Sequence, residues 1–372
     1  MKLSILASVS VLALFAASPA LAQNNVSSVG QSGNMNEAMV SQAGQNSRSE
    51  ITQTGLGEAI VDQVGDGQDS RISQTSDSFA DVTQSGDGNE SDIDQTAVNG
   101  DATVVQSGSD NDSRIIQDAA DSTADITQSG ENGVSDLRQR GTGNTTTLRQ
   151  GGTNNDNFVE QRAGATNSFV TVDQTGTGNA ARTIQVGQRI RPADANNNRT
   201  IIDQSGSNNY SGTAQEGSNN LADIKVSGAG VSVAGRQTTG ADYRDNEPPE
   251  TDVWQVSDNN QAYIEQASDA SRVQIYQGLE QTDAGFPLAL GSDNFAKVTQ
   301  TATADNSNAF VVQGGSDNIV NVTQSGMDSL LYLNQLGTGN TATVTQSSSD
   351  NQSFLSQNGD GNTATVTQGP SQ

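Results

Sequence analysis

Apolar and polar residues alternate along most of this chain in segments of about seven residues, each closed by a glutamine and set apart by clusters of Gly, Asn, Asp and Ser. In Asn340-Thr-Ala-Thr-Val-Thr-Gln346 the alternation puts Asn340, Ala342, Val344 and Gln346 on one face and Thr341, Thr343 and Thr345 on the other, which is the side-chain period of a β-strand. Helix is disfavoured in segments this short, bounded by turn formers and rich in Thr, Val and Ile. The predicted elements are short strands joined by turns.

The strands recur. Gly337-Thr-Gly-Asn-Thr-Ala-Thr-Val-Thr-Gln346 and Gly359-Asp-Gly-Asn-Thr-Ala-Thr-Val-Thr-Gln368 differ only at Thr338 and Asp360 and lie 22 residues apart, with a looser copy, Asn351-Gln-Ser-Phe-Leu-Ser-Gln357, between them. The working unit is thus about 11 residues, and a pair of units makes the repeat. The closing glutamine stands at Gln31, Gln42, Gln53, Gln63, Gln74 and onward to Gln161, and again from Gln313 to Gln368. Two and four residues before it, Ala/Val units alternate with Ser/Ile units: Ala38/Val40, Ser49/Ile51, Ala59/Val61, Ser70/Ile72, Ala80/Val82, Ser91/Ile93. Two strands per turn would stack like on like, so the expected fold is all-β: a β-solenoid of two-stranded rungs with 22-residue repeats, passing to cross-β on polymerisation. Val344 and Val366 then belong to the core strand. Inward amides at matching heights can bond one another along the stack, which makes Asn36, Gln42, Gln53, Gln106, Gln128, Asn340, Gln346, Asn362 and Gln368 the candidate ladder residues. The competing reading has each Gln mark a strand end and face solvent.

Residues 1–22 read as a secretory signal, with Lys2, the apolar run Leu3 to Phe15 and the small-residue site Ala20-Leu-Ala22. A first repeat block is expected over 23–185, irregular repeats with inserted loops over 186–254, and a second block over 255–372. Arg189 to Asn196, Thr239 to Pro249 and Leu279 to Gly291 look like surface loops, and Val226 stands where a Gln is expected. No later run is long enough for a transmembrane span. Neither end leaves room for a capping element, so open strand edges and growth by addition of further copies are expected.

Composition narrows the chemistry. A net charge of −26, from 43 acidic and 17 basic residues, argues against nucleic acid as a partner. Only 31% of residues are hydrophobic and 4% aromatic, too little for an ordinary globular core, yet a solenoid needs only a thin one. With no Cys and no His, thiolate sites and the commonest general base are missing. No cofactor or metal is expected, the calcium-binding Gly-Gly-x-Gly-x-Asp repeat is absent, and the carboxylates form no local constellation suited to catalysis. Turn aspartates, as in Gly65-Asp-Gly-Gln-Asp69, are expected to keep the exported chain soluble and slow its assembly through stacked like charges.

The repeat resembles that of the curlin family, the subunits of bacterial curli fibres. The family pattern Ser-x5-Gln-x-Gly-x-Gly-Asn-x-Ala-x3-Gln is met by Ser329-Leu-Leu-Tyr-Leu-Asn-Gln335-Leu-Gly337-Thr-Gly339-Asn340-Thr-Ala342-Thr-Val-Thr-Gln346. The resemblance covers most of the chain after residue 22. It implies a structural, non-enzymatic subunit that polymerises with itself into extracellular amyloid at the bacterial surface, in biofilm matrix and adhesion. Implied partners are a nucleating subunit, a periplasmic chaperone and an outer-membrane secretion pore. The chain departs from typical members in its larger number of repeats and in lacking their Gly-rich N-terminal segment. The alternative is a secreted, monomeric β-solenoid adhesin that holds a surface ligand in its middle loops.

Overall fold

The computed structural model describes residues 12–14, 24–186, 195–230, 232–233, 252–256, 258–281 and 287–369. The chain divides into two compact units, Met1–Asn154 and Asn155–Gln372. Each is a parallel β-solenoid in which successive strands alternate between two sheets.

In the first unit one sheet stacks Glu37–Gln45, Gly57–Asp66, Ser78–Asp87, Gly100–Ser109, Thr123–Gln128 and Thr145–Gln150. The other stacks Val26–Gln31, Arg48–Gln53, Asp69–Gln74, Glu90–Gln95, Asp112–Gln117 and Val134–Gln139. Register follows the repeat: Ala38 lies on Ala59, Ala80, Ala102 and Ala124 in turn, and Ser49 on Ser70, Ser91, Ser113 and Ser135. Small and large inward residues complement each other within a turn. Ile51, Ile72, Ile93 and Ile115 of one sheet and Val61, Val82 and Val104 of the other are fully buried, each such side chain contributing about 1.5–3 kcal/mol.

Turn geometry explains the glycines. Gly65 and Gly86 have φ of 126° and 97°, and a Cβ on Gly65 would lie 1.8 Å from the carbonyl oxygen of Gly86. Both the left-handed conformation and the close approach of successive turns demand glycine there. Elsewhere the left-handed turn position is taken by Asn or Asp, as at Asn99, Asp110, Asp121 and Asn132, the residues that tolerate it best.

In the second unit one sheet runs from Phe169–Gln174 through Arg199–Gln204, Leu221–Val226, Gln261–Gln266, Phe295–Gln300, Ile319–Gln324 and Thr341–Gln346 to Thr363–Gln368. The other runs from Asp156–Gln161 through Ala180–Val186 and Tyr210–Glu216 to Arg272–Gln277, Asn308–Gly314, Leu330–Leu336 and Gln352–Asn358. Strands between 199 and 226 therefore keep the stacking register of their neighbours. Beyond Tyr210–Glu216 the next strand position is shared by two pieces of chain. Tyr210 and Ser211 pair with Ser232 and Val233, whereas Gly212 to Glu216 pair with Asp252 to Val256.

The expected loop at 239–249 lies outside the described residues. Of that at 189–196 only Ala195–Asn196 is described, paired with Ala165–Thr166. The excursion after Gln277 forms a small antiparallel pair, Leu279–Gln281 with Pro287–Leu290. The expected signal segment lies outside the described residues except for Leu12–Leu14, which pairs with Ala38–Val40.

The serine column carries a defect. Ser49, Ser70 and Ser91 are buried, and their Oγ atoms have no hydrogen-bond partner. An unpartnered buried hydroxyl costs more than the methyl that would replace it. Ser70→Ala is expected to raise stability by about 0.5–1 kcal/mol, measured as a higher denaturant midpoint with unchanged slope.

Candidate functional site

The inward glutamines form amide ladders that run from turn to turn. In the first unit Gln31 Nε2 donates to Gln53 Oε1 at 2.8 Å, Gln53 to Gln74 at 2.8 Å, Gln74 to Gln95 at 2.9 Å and Gln95 to Gln117 at 2.8 Å. In the opposite sheet Gln42 donates to Gln63, Gln63 to Gln84, and Gln84 to Gln106, each at 2.8 Å; Gln106 donates to Gln128 at 2.8 Å and Gln128 to Gln150 at 2.7 Å. From Gln42 onward the ladder amide nitrogens of this unit also reach backbone carbonyls of the facing strands or of the turns that lead into them. Gln53 Nε2 bonds the carbonyls of Glu37 and Gly57, both at 2.9 Å, and Gln106 those of Glu90 and Asn111. One side chain thus holds its own turn, the next turn and the facing sheet.

The second unit repeats the arrangement. Gln277 donates to Gln313, Gln313 to Gln335 and Gln335 to Gln357, while Gln324 donates to Gln346 at 2.8 Å and Gln346 to Gln368 at 2.9 Å. Asparagines at the strand entries form a further row. Asn340 Nδ2 donates to Asn318 Oδ1 at 3.0 Å and Asn362 Nδ2 to Asn340 Oδ1 at 2.9 Å, and the backbone N–H groups of Asn340 and Asn362 donate to the same two oxygens. Glutamine amides donate to the glutamine of the following repeat, whereas the asparagine amides donate both to the asparagine of the preceding repeat and to a carbonyl of the following turn, as Asn340 does to Asn318 and Gly359. Val344 is buried beside this ladder and pairs in register with Val366, which is half-buried. Asn36 sits at the asparagine height, but its neighbour one repeat on is Gly57, whose N–H it accepts at 3.1 Å.

Val226 shows what a missing amide does. It is buried and lies in register between Gln204 and Gln266. Gln204 turns its amide nitrogen to Ser211 Oγ and the Ala180 carbonyl, and Gln266 Oε1 is left buried without a partner. Val226→Gln would fill a position that other turns fill with Gln, and is expected to stabilise the chain by about 1 kcal/mol, read as an increased denaturant midpoint.

Two further patterns lie on the outer faces and turns, where reading one strand at a time does not find them. The first is a column of alternating sign, Glu50, Arg71, Asp92, Arg114 and Asp136, each above the next, with Arg114 Nε 4.0 Å from Asp92. In the second, turn aspartates accept backbone N–H groups of the preceding turn: Gln45 donates to Asp66, Ser218 to Asp258, and Thr338 to Asp360. These aspartates satisfy turn backbone as well as adding charge. Among the described residues no cluster of three or more acidic, His or Cys side chains is placed to hold a metal, and no helix is long and apolar enough to cross a membrane.

A neighbouring column, Asp69, Glu90 and Asp112, stacks like charges. Burial raises the Glu90 carboxyl above its ordinary range, with Asp112, Asp69 and Asp92 adding to it, and burial likewise raises Asp112, reinforced by Asp136 and Asp92. Asp69 is raised by burial against the opposing pull of Arg48. A raised carboxyl holds its proton more tightly in the folded state than in the unfolded one. These groups therefore weaken the fold above their raised values, and the penalty vanishes below the ordinary carboxylate range. Stability to denaturant is expected to rise as pH falls from about 7 to about 4, and Asp69→Asn/Glu90→Gln/Asp112→Asn is expected to flatten that rise.

The ladders join one repeat to the next. The curlin associated repeat matches residues 23–55, 76–108, 99–130, 195–225 and 337–369. No curated protein matches the chain. Each matched stretch carries the stacked strands and inward Gln described above, and the chain belongs to the curlin family.

Proposed function

We propose that this curli-type structural subunit assembles with itself into extracellular amyloid fibres that serve biofilm matrix and adhesion. The observation that carries the reading is the equivalence of successive turns. Thr341–Gln346 and Thr363–Gln368 have the same sequence, lie in full register and are joined by the Gln346–Gln368 bond. A turn built this way offers the donors, acceptors and apolar side chains that another copy of itself requires. Growth is then the addition of a further chain's turn, with an N–H···O ladder and Gln–Gln bonds at the roughly 4.8 Å spacing of cross-β structure.

Several finer assignments belong to the same proposal. Residues 1–22 direct export and are removed. Residues 23–185 and 255–372 act as repeat blocks, with 186–254 as an interrupted region between them. Asn36, Gln42, Gln53, Gln106, Gln128, Asn340, Gln346, Asn362 and Gln368 serve as amyloid ladder residues. A nucleating subunit, a periplasmic chaperone and an outer-membrane pore handle initiation and secretion. Family membership and the solenoid fold support a structural, non-enzymatic role at the cell surface.

Residues 23–372 diluted from denaturant at micromolar concentration are expected to form SDS-resistant, sedimentable polymer, with preformed seeds abolishing the lag. A β-rich monomer indifferent to seeds would overturn the reading and favour a monomeric adhesin. Val344→Asp combined with Val366→Asp would bury unpaired charge between two turns, and seeded growth is expected to slow at least about tenfold. Thr343→Ser with Thr365→Ser, on the outward face, should leave it unchanged.

A further inference from the structure

Charge is unevenly spread over the outer faces of the strands. In the first unit the strands Arg48–Gln53, Asp69–Gln74, Glu90–Gln95 and Asp112–Gln117 all carry outward acidic or basic residues. In the second unit Asn308–Gly314, Leu330–Leu336 and Gln352–Asn358 carry none. Where the first unit places Glu50, Arg71 and Asp92, three residues before the ladder glutamine, these strands place Phe310, Tyr332 and Phe354, in register with one another. Tyr276 and Phe310 lie 5.4 Å apart between ring centroids, and Phe310 stacks on Tyr332 at 5.0 Å with an interplanar angle of 16°. The stripe is open to solvent: Phe354 is 71% exposed, Tyr332 44% and the adjacent Leu330 36%. In a chain where aromatic residues make up 4% of the sequence, this is a concentrated apolar surface.

We infer that this aromatic face docks on the same face of a second copy of the chain, joining polymers side by side. The inference rests on the end-to-end assembly proposed above. Charge selects the occupant. Two chains of net charge −26 repel one another overall, and the Phe310–Tyr332–Phe354 stripe is a face on which they can approach without pairing like charges. The Thr341–Gln346 and Thr363–Gln368 strands are uncharged too, but their outward threonines bring little apolar area. Phe310 and Tyr332 cover part of each other's ring faces, and Phe354 continues the row in register with its side chain largely exposed, a surface suited to interleave with a like row across a dry interface roughly 10 Å wide.

Area sets when this happens. Fully covered aromatic side chains bury about 150–250 Å² each, so the exposed parts of one stripe amount to roughly 300 Å². That falls well short of the approximately 800 Å² per partner of a stable complex. A lone pair of chains is therefore expected to stay apart. Once chains are joined end to end the stripe recurs in every subunit, and many weak contacts act together. Lateral pairing is a property of the polymer.

The test compares seeded polymers of residues 23–372 with those of Phe310→Thr/Tyr332→Thr/Phe354→Thr and of the single, most exposed substitution Phe354→Thr, by sedimentation rate of growth and by width in negative-stain electron microscopy. Thr occupies outward positions throughout the chain, and far-UV circular dichroism checks that the β fold is kept. The wild-type chain should form paired or bundled fibres. The triple variant should elongate within about twofold of the wild-type rate but as single filaments, with Phe354→Thr intermediate in width. Wild-type fibres that are single filaments, variants that bundle as before, or variants that fold but no longer elongate would each overturn the lateral role while leaving end-to-end assembly standing. A wild-type chain that forms no polymer would sink both.

Discussion

The hydrogen bond between equivalent side-chain amides of successive turns is the constraint from which the rest of this structure follows. A buried amide left unbonded costs a few kcal/mol, and bonding it restores the balance. Another amide at the same height in the next turn satisfies both its donor and its acceptor, and only strict register supplies one. A slip of one residue would turn every inward glutamine outward. Spacing in the chain is secondary to this. Gln53 and its partner Gln74 are 21 residues apart, Gln215 and Gln255 are 40, yet both pairs bond at 2.8–2.9 Å. The ladder defines the repeat, and the sequence between ladder positions is free to vary in length.

That constraint is also why so much of the fold could be read from the sequence. Period-two alternation and the recurring glutamine place strands, faces and turns, and the alternation of Ala38/Val40 with Ser49/Ile51 separates the two sheets. Inward positions are few in kind, so the pattern stays clear for most of the chain. What escaped were features that arise only between turns. The sequence marks Val226 as an irregularity, but the consequence falls on Gln266, far along the chain and adjacent only in space. Asn36 has the right residue type at the right height, but Gly57 stands in the next turn. The alternating column from Glu50 to Asp136 becomes visible only when outward residues are read down the stack rather than along a strand.

The amide rows differ from a helix in the direction of their bonds. In a helix the peptide dipoles sum, and charge accumulates at the ends. Here the glutamine rows donate one way along the stack and the asparagine rows the other, as in Gln346 to Gln368 against Asn362 to Asn340. Where both kinds of bond are present they run in opposite directions, while the asparagine amides also donate forward to turn carbonyls, as Asn340 does to Gly359. Ionised side chains add an electrostatic cost to a long array, which the alternating column partly offsets and the Asp69–Glu90–Asp112 column does not.

The strand position above Tyr210–Glu216 is filled by two pieces of chain, Ser232–Val233 and Asp252–Val256, and Gln255 still receives the bond from Gln215 and passes one to Gln277. The stack therefore registers occupancy and is indifferent to connectivity. What matters at each height is that an inward amide and an apolar residue arrive in register, whichever part of the chain delivers them. The contacts such a turn makes are the same in kind for any strand that fills the position; what a covalent link changes is the entropy of bringing that strand into place.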